Sequence, residues 1–253
     1  VFPFKRYQMS KVFRGERPQK GRFREFYQCD IDIIGNEELD LRYDAEMPAI
    51  IYRVFEKLGI GDFVIRINNR KVLGGFFAAL GLSDKIEDIL RILDKIEKIG
   101  KEAAVSELVA LGVSADKTDT IIDFITSDGD CEQILAKLRA MSIENETYTS
   151  GVSELAAVTE YMRMFGMPED SFRIDLTIAR GLDYYTGTVY ETQIKAHPEF
   201  GSVCSGGRYD NLTGYYTDKK LPGIGISIGL TRLFSQLLAS GLIAPKTGSI
   251  ARV

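Results

Sequence analysis

The segment FREFYQCDIDIIG, from Phe23 to Gly35, alternates as a β-strand does and so has two chemically different faces. One parity carries Phe23, Glu25, Tyr27, Cys29, Ile31 and Ile33; the other carries Arg24, Phe26, Gln28, Asp30 and Asp32. A cation, an aromatic plate, an amide and two carboxylates, roughly 7 Å apart along one side of a sheet, suit a small zwitterionic ligand beside a nucleotide. Just upstream, FRGERPQKGRFREF holds Arg14, Arg17, Lys20, Arg22 and Arg24. From charge alone the stretch from Lys5 to Arg24 is either an exposed charged hairpin loop or a local patch for nucleic acid.

Three further segments carry residues able to do chemistry. In ARGLDYYTGTVYE, Arg180 follows an apolar run read as a strand, so it is either a surface cation or a guanidinium aimed from a strand end into a cleft. Tyr184 and Tyr185 are neighbours and face opposite ways in extended backbone, unless a turn rotates both inward. In PGIGISIGLTRLF, Gly223, Gly225, Ser227 and Gly229 share one parity, which leaves room for a flat ligand, while Ile224, Ile226 and Ile228 pack on the other. The spacing is GxGxxxG and closes a strand among antiparallel neighbours, a weak match to a dinucleotide fingerprint. Arg232 falls in the first turn of the next helix, where the dipole disfavours a cation, so a purine ring or a phosphate is its expected partner. In CSGGRYDNL the paired glycines mark either a bulge or the close approach of a ligand.

Composition excludes several mechanisms. The 253 residues are 45% hydrophobic and 27% charged, as in globular proteins, with no apolar run near the ~20 residues of a membrane span. No secretory signal is visible, which makes the cytoplasm the expected address. Three scattered cysteines, Cys29, Cys131 and Cys204, argue against a disulfide framework or a thiolate metal site. His197 is the only histidine and sits beside Pro198, so a histidine-based triad is nearly excluded and the chemistry falls to arginines and carboxylates. A net charge of −4 rules out an overall basic field.

The elements that must position these groups follow from periodicity. VFPFKRYQMSKVFRGE reads as a strand returned by a PQKG turn, forming a long antiparallel hairpin. A helix over Met47 to Leu58, a short strand FVIRINN and a helical RKVLGGFFAALGL come next. From Ser83 to about Phe165, five successive segments carry the three-and-four apolar spacing, a helical insertion. Strand character resumes with FRIDLTIARGL, TGTVYETQI, FGSVCSGGRYDNL and LPGIGISIG, followed by the amphipathic LTRLFSQLLASG. The sheet is therefore split in sequence, and its halves must meet in space.

These segments together resemble one family. FRGERPQKGRFREFYQCDIDIIG is similar to motif 2 of the class II aminoacyl-tRNA synthetases and GIGISIGLTRL to their motif 3; RGLDYYTGTVYE and GGRYD resemble the two histidine-specific signatures of the histidyl-tRNA synthetases. Motif 2 or 3 alone indicates only the class, and the RGLDYYTG block makes the resemblance specific. It covers nearly the whole chain. It implies an α+β fold, an antiparallel class II catalytic sheet with an inserted helical domain: catalytic parts over residues 1–82 and 169–253, insertion over 83–168. It further implies ATP- and Mg2+-dependent activation of L-histidine to histidyl-adenylate, transfer to tRNA(His), and a homodimer for the full-length protein.

The resemblance also implies roles. Arg14 would contact the α-phosphate and Glu16 the adenine amino group, with Phe26 under the adenine and Arg232 over it by cation–π contact. Gln28 would hold the amino group of histidine, Asp32 would accept the imidazole N–H, and Tyr184 and Tyr185 would line the imidazole pocket. Arg180 would lie between the substrate carboxylate and the α-phosphate, sharing its charge with Arg14 and magnesium. Lys20, Arg22 and Arg24 suit tRNA phosphates.

Departures from the family pattern carry their own expectations. Motif 1, and a segment supplying a glutamate and a threonine to the histidine amino group, belong before residue 1; an anticodon-binding domain belongs after motif 3. The chain is thus expected to be a fragment with weak or no activity alone. Thr231 stands where motif 3 usually carries an acidic residue. Two other readings compete: a non-catalytic, synthetase-like histidine sensor in the regulation of histidine biosynthesis, which need not keep Arg14, Glu16, Phe26 and Arg232, and a nucleic-acid-binding module built on the basic hairpin, which leaves RGLDYYTG unexplained.

Overall fold

Phe4–Phe13 (β1) and Glu25–Ile34 (β2) form the expected hairpin, paired antiparallel from Phe4 opposite Ile34 to Phe13 opposite Glu25. The structure, a computed structural model, describes residues 1–15, 17, 23–179 and 184–244. The PQKG turn lies outside the described residues. Phe63–Asn69 (β3), Phe172–Ile174 (β4), Thr188–Ile194 (β5), Cys204–Tyr209 (β6) and Gly223–Ile228 (β7) complete the sheet, whose order is β1-β2-β7-β6-β5-β3-β4 among the described residues. The halves on either side of the helical stretch join where β2 pairs with β7, from Cys29 opposite Ile228 to Ile34 opposite Gly223. All pairings are antiparallel except β3 with β4.

Three local expectations are corrected. The FRIDLTIARGL strand stops after three residues as β4, because the Asp175 carboxylate accepts from the Thr177 N–H (3.0 Å) and hydroxyl (2.5 Å) and folds the backbone into a turn. A turn, not a strand, therefore leads toward Arg180. The Gly206–Gly207 pair makes no bulge: β6 pairs residue for residue with β5 and with β7 across both glycines. They are required because a Cβ at Gly206 would sit 2.7 Å from Ile226 Cα and one at Gly207 would sit 2.9 Å from the Tyr185 ring. KIEDILRILDKIEKI is two helices, Ile86–Leu93 and Ile96–Ile99, so the stretch divides more finely than its periodicity suggests.

Arg42–Leu58 (α1) carries Pro48 in its interior, which has no N–H to give to the Asp44 carbonyl four residues back. The buried Tyr190 hydroxyl donates to that carbonyl instead. The Asp44 side chain, 0% exposed, accepts from Thr188 Oγ1 (2.7 Å), Arg208 Nε (3.1 Å) and Arg208 Nη2 (2.6 Å). One helical turn is thereby bolted to β5 and β6 on the sheet face opposite the polar parity of β2.

Arg70–Ala79 (α2) is capped by the Asn69 side chain, which accepts from Lys71 N at 2.9 Å. Ile86–Leu93 (α3), Ile96–Ile99 (α4), Lys101–Ala110 (α5), Ala115–Ile125 (α6) and Cys131–Ala140 (α7) follow, and Glu146–Met164 (α8) crosses α2 so closely that a Cβ at Gly75 would lie 2.7 Å from Tyr148 Cα, and one at Gly151 would lie 2.6 Å from Val72 N. Leu230–Ala239 (α9) closes the described fold and packs against β2.

Removing one member of the buried Asp44–Arg208 pair strands the other. Asp44→Ala is expected to lower stability by about 3–5 kcal/mol, read from its urea midpoint, and the double change Asp44→Leu with Arg208→Met is expected to recover most of that loss.

Candidate active site

The polar parity of β2 faces a cavity of about 600 Å³, within the range that holds a small organic ligand. Phe26, Gln28, Asp30 and Asp32 line it from β2, Gly225 and Ser227 from β7, and Ser205 and Tyr209 from β6. The register explains the company: Asp32 lies opposite Gly225, Asp30 opposite Ser227, Ser227 opposite Ser205 and Gly225 opposite Gly207. Side chains at these positions all rise from one face.

At one end Asp32 is held on both oxygens. The Tyr209 hydroxyl donates to Oδ1 at 2.9 Å, and Arg6 Nη1 donates to Oδ2 at 3.1 Å. Gly225 makes this possible, because a Cβ there would overlap the Asp32 carboxylate. The glycine expected to leave room for a ligand thus leaves room for a carboxylate that a ligand can meet. Burial pushes the Asp32 carboxyl above its usual range; Tyr209 and Arg6 pull it down, and Asp30 adds to the push. The Arg6 side chain is 38% exposed, so solvent screens its pull.

Tyr184 and Tyr185 both line the cavity, with ring centroids 4.3 Å apart and Tyr184 6.0 Å from Tyr209. Opposite facing, the expectation for extended backbone, does not apply here. Burial raises the Tyr185 hydroxyl far above its ordinary value, so it stays a neutral donor. Backbone bonds fix the segment that follows: Thr186 N–H donates to Arg208 O (2.8 Å), and Arg70 N–H donates to Gly187 O (2.9 Å).

At the other end, the Arg14 guanidinium lies 5.0 Å from the centre of the Phe26 ring. Arg232 lines the same end from the first turn of α9 and donates from Nη2 to Phe200 O at 2.7 Å. That carbonyl answers the dipole cost of its position. Thr231, where an acidic residue was expected, accepts from Tyr27 N–H at 2.8 Å and stitches α9 to β2. Gln28 donates its amide to Ser227 Oγ. The cavity therefore runs from an aromatic, cationic end to a carboxylate held by a phenol and a guanidinium, and it can take a flat nucleobase with phosphates at one end and a polar ring at the other.

A family model described as histidyl-tRNA synthetase matches residues 3–233. The chain belongs to the histidyl-tRNA synthetase family. The histidine–tRNA ligase of Clostridium tetani (strain Massachusetts / E88) is 57% identical over 248 residues, covering 98% of this chain and 56% of that protein. The ligase of Nostoc punctiforme (strain ATCC 29133 / PCC 73102) is 52% identical, covering 100% and 55%. The crystal structure of histidyl-tRNA synthetase from Nostoc sp. PCC 7120 matches with a TM-score of 0.92 at 52% identity, over 96% of this chain and 56% of that one. This is the class II α+β fold expected from the motifs. The chain spans a little over half the length of these histidyl-tRNA synthetase relatives. A Bacillus halodurans structure described as an ATP phosphoribosyltransferase regulatory subunit/histidyl-tRNA synthetase, 20% identical with a TM-score of 0.78, shares the fold.

Of the residues that the family resemblance singled out, Arg14, Phe26, Gln28, Asp32, Tyr184, Tyr185 and Arg232 line the one cavity. Glu16, Lys20, Arg22 and Arg180 lie outside the described residues. Arg24 is exposed, and its carbonyl accepts from Arg14 N–H at 2.9 Å, extending the hairpin. Sequence reasoning missed Arg6, Gln8 and Tyr209, all in the cavity lining. Parity was the available signal. Tyr209 is two residues beyond Gly207, and Arg6 and Gln8 share a parity with Ser10 and Val12, but their facing depends on a hairpin register that periodicity leaves open.

Loss of Arg6 removes an attraction that favours ionised Asp32. Arg6→Met is expected to move the Asp32 carboxyl titration to higher pH in carbon-13 NMR; an unmoved or lowered midpoint contradicts the assignment. The folded chain binds this proton more tightly than the unfolded chain, so stability falls as pH rises from about 4, the ordinary carboxyl value, through the higher folded value. Asp32→Asn is expected to gain stability relative to the unmodified chain across that interval in urea unfolding.

Proposed function

We propose that this chain carries the histidine- and ATP-binding catalytic core of a histidine–tRNA ligase. In this reading the carboxylate of L-histidine attacks the α-phosphorus of ATP in line, the bond to the leaving pyrophosphate breaks, and histidyl-adenylate forms. In a second step a hydroxyl of the terminal ribose of tRNA(His) attacks the acyl carbon, the acyl–phosphate bond breaks and AMP leaves. The enzyme supplies no nucleophile. It aligns two anionic reactants and neutralises charge, so arginines and hydrogen-bond donors suffice.

The observation that carries the proposal is the meeting of Arg14, Phe26 and Arg232 with Gln28, Asp32, Tyr184 and Tyr185 in one cavity. The nucleotide end argues for an enzyme over a histidine sensor, since a sensor has no use for a purine platform. Phe26 suits the adenine, Arg14 the α-phosphate, and Asp32 with the tyrosines the imidazole; Glu16 and Arg180 keep the roles implied by the motifs. Lys20, Arg22 and Arg24 are assigned to tRNA phosphates.

Among the described residues no group of three or more His, Cys, Asp or Glu side chains could hold a metal ion. Mg2+ would be carried mainly on the ATP phosphates, the usual mode for nucleotide-bound magnesium, where it would neutralise phosphoryl oxygens. Tyr7, Met9 and Phe13 on β1, exposed by 74%, 68% and 73%, and Leu230, Phe234 and Leu238 on α9 support assembly as a homodimer. The proposed address is the cytoplasm; among the described residues no helix is long and apolar enough to cross a membrane.

Calorimetric titration tests the core reading. The unmodified chain is expected to bind both L-histidine and ATP. Asp32→Ala is expected to weaken histidine about 100-fold and leave ATP nearly unchanged, because a buried polar pocket loses its acceptor. Arg232→Ala is expected to weaken ATP about 10-fold and spare histidine. Binding of histidine without ATP supports the sensor instead, and retention of histidine by Asp32→Ala removes the carboxylate from its role.

A further inference from the structure

Phe200 ends the short turn Pro198–Phe200 between β5 and β6, and its carbonyl meets two side chains of α9. Arg232 Nη2 donates to it at 2.7 Å and Gln236 Nε2 at 3.0 Å. Residues four apart share one face of a helix, so both reach the same oxygen, which has two lone pairs to offer.

The turn is built to aim that carbonyl. Phe200 is buried, and its ring stacks on that of His197 with centroids 4.7 Å apart and 11° between the planes. On the far side of the peptide the Gly201 N–H donates to Pro198 O at 3.0 Å. The N–H and C=O of a trans peptide point opposite ways, so this bond turns the Phe200 oxygen toward α9. Gly201 holds φ 64° and ψ −155°, a combination open almost only to glycine, and a Cβ there would lie 3.2 Å from Arg232 Nη2.

Gln236 points the same way. Its Oε1 is shut off from solvent and has no hydrogen-bond partner among the described residues. Leucine, of similar shape, would avoid that desolvation, so the amide is accounted for by the bond it donates and not by packing. The stem of Arg232 is fixed too, because Thr231 accepts from the N–H of Tyr27, the residue after Phe26. An arginine has many rotamers to lose when a ligand orders it, and a side chain tethered at both ends has lost them beforehand.

We propose that Gln236 and Gly201 are positioning residues for ATP: they aim and hold the Phe200 carbonyl, and that carbonyl holds the Arg232 guanidinium at the aromatic, cationic end of the cavity. This rests on the reading of that end as the nucleotide site. It puts a determinant of nucleotide affinity in a turn and a helix face behind the cavity lining.

The test is calorimetric titration with ATP and with L-histidine of the unmodified chain, Gln236→Leu, Gly201→Ala and Arg232→Ala, and of Gln236→Leu and Gly201→Ala each combined with Arg232→Ala. Gln236→Leu is expected to weaken ATP about 3- to 5-fold through the lost hydrogen bond, and Gly201→Ala about 10-fold through backbone strain that turns the carbonyl away. Histidine affinity is expected to stay within about 2-fold in both, and the urea midpoint of Gln236→Leu to hold or rise. In the Arg232→Ala background either change is expected to cost less than about 2-fold more, because a residue that acts through Arg232 has nothing left to act on. A general structural role would instead carry through to the double variants and to histidine. The proposal is overturned if Gln236→Leu binds ATP undiminished, if it loses ATP and histidine equally, or if its loss persists in full without Arg232. Where Gly201→Ala has no cooperative urea transition, Gln236→Leu and its double variant decide alone. Failure of the unmodified chain to bind ATP, or an unchanged ATP affinity in Arg232→Ala, overturns the nucleotide reading and this proposal together; a loss in Arg232→Ala with none in Gln236→Leu overturns this proposal alone.

Discussion

The pairing of β2 with β7 is the constraint on which the site depends. In the sheet the β1–β2 hairpin is joined to the remaining strands through β7. Gln28 meets Ser227 across 199 residues of sequence, and Asp32 meets Gly225 in the same register. A slip of one residue would turn the carboxylates toward the isoleucine side and the isoleucines into the cavity. Both faces resist that slip: Ile33, Ile224 and Ile226 are buried on one, and on the other the carboxylate of Asp32 occupies space that only glycine at 225 leaves open.

The rear of the sheet holds the front in place. Arg208 sits between Gly207 and Tyr209, and alternation sends it backward to Asp44 while Tyr209 points forward to Asp32. A buried pair of this kind adds little net stability, but it fixes position once both partners are present. Pro48 contributes by leaving the Asp44 carbonyl to Tyr190, so main chain and side chain of one residue dock α1 to the sheet. The phenol that orients the pocket carboxylate is thereby tied to a helix that never enters the pocket.

A second set of polar side chains holds the turn that follows β4. Arg66 Nε reaches Asp175 at 2.8 Å and its Nη2 reaches Thr177 Oγ1 at 2.8 Å; Asn68 donates to the carbonyls of Leu176 and Ile178, and Arg70 Nη1 to that of Ala179 at 3.1 Å. Every second residue from 66 to 70 thus grips one short turn. The main-chain N–H of Arg70 also reaches the Gly187 carbonyl, so one residue holds both Ala179 and Gly187. Rigid strands carry residues that must be exact in height, and clamped turns carry residues whose facing no strand could supply.

The sequence by itself determined the polar and apolar parities of β2 and β7, the existence of the hairpin, the helical stretch between the two halves of the sheet, and the motifs that mark the family. Each is a local period or a short run, and local periods survive in any fold that uses them. It left undecided whether two adjacent tyrosines face one way and whether paired glycines make a bulge, since each depends on a neighbour distant in sequence: Gly207 beneath Tyr185, and β5 and β7 flanking β6. Arg6 and Tyr209, the partners of Asp32, lie 26 and 177 residues from it in the chain. Only tertiary structure selects them, because strand register is set by the summed fit of both sheet faces and no single segment contains that sum.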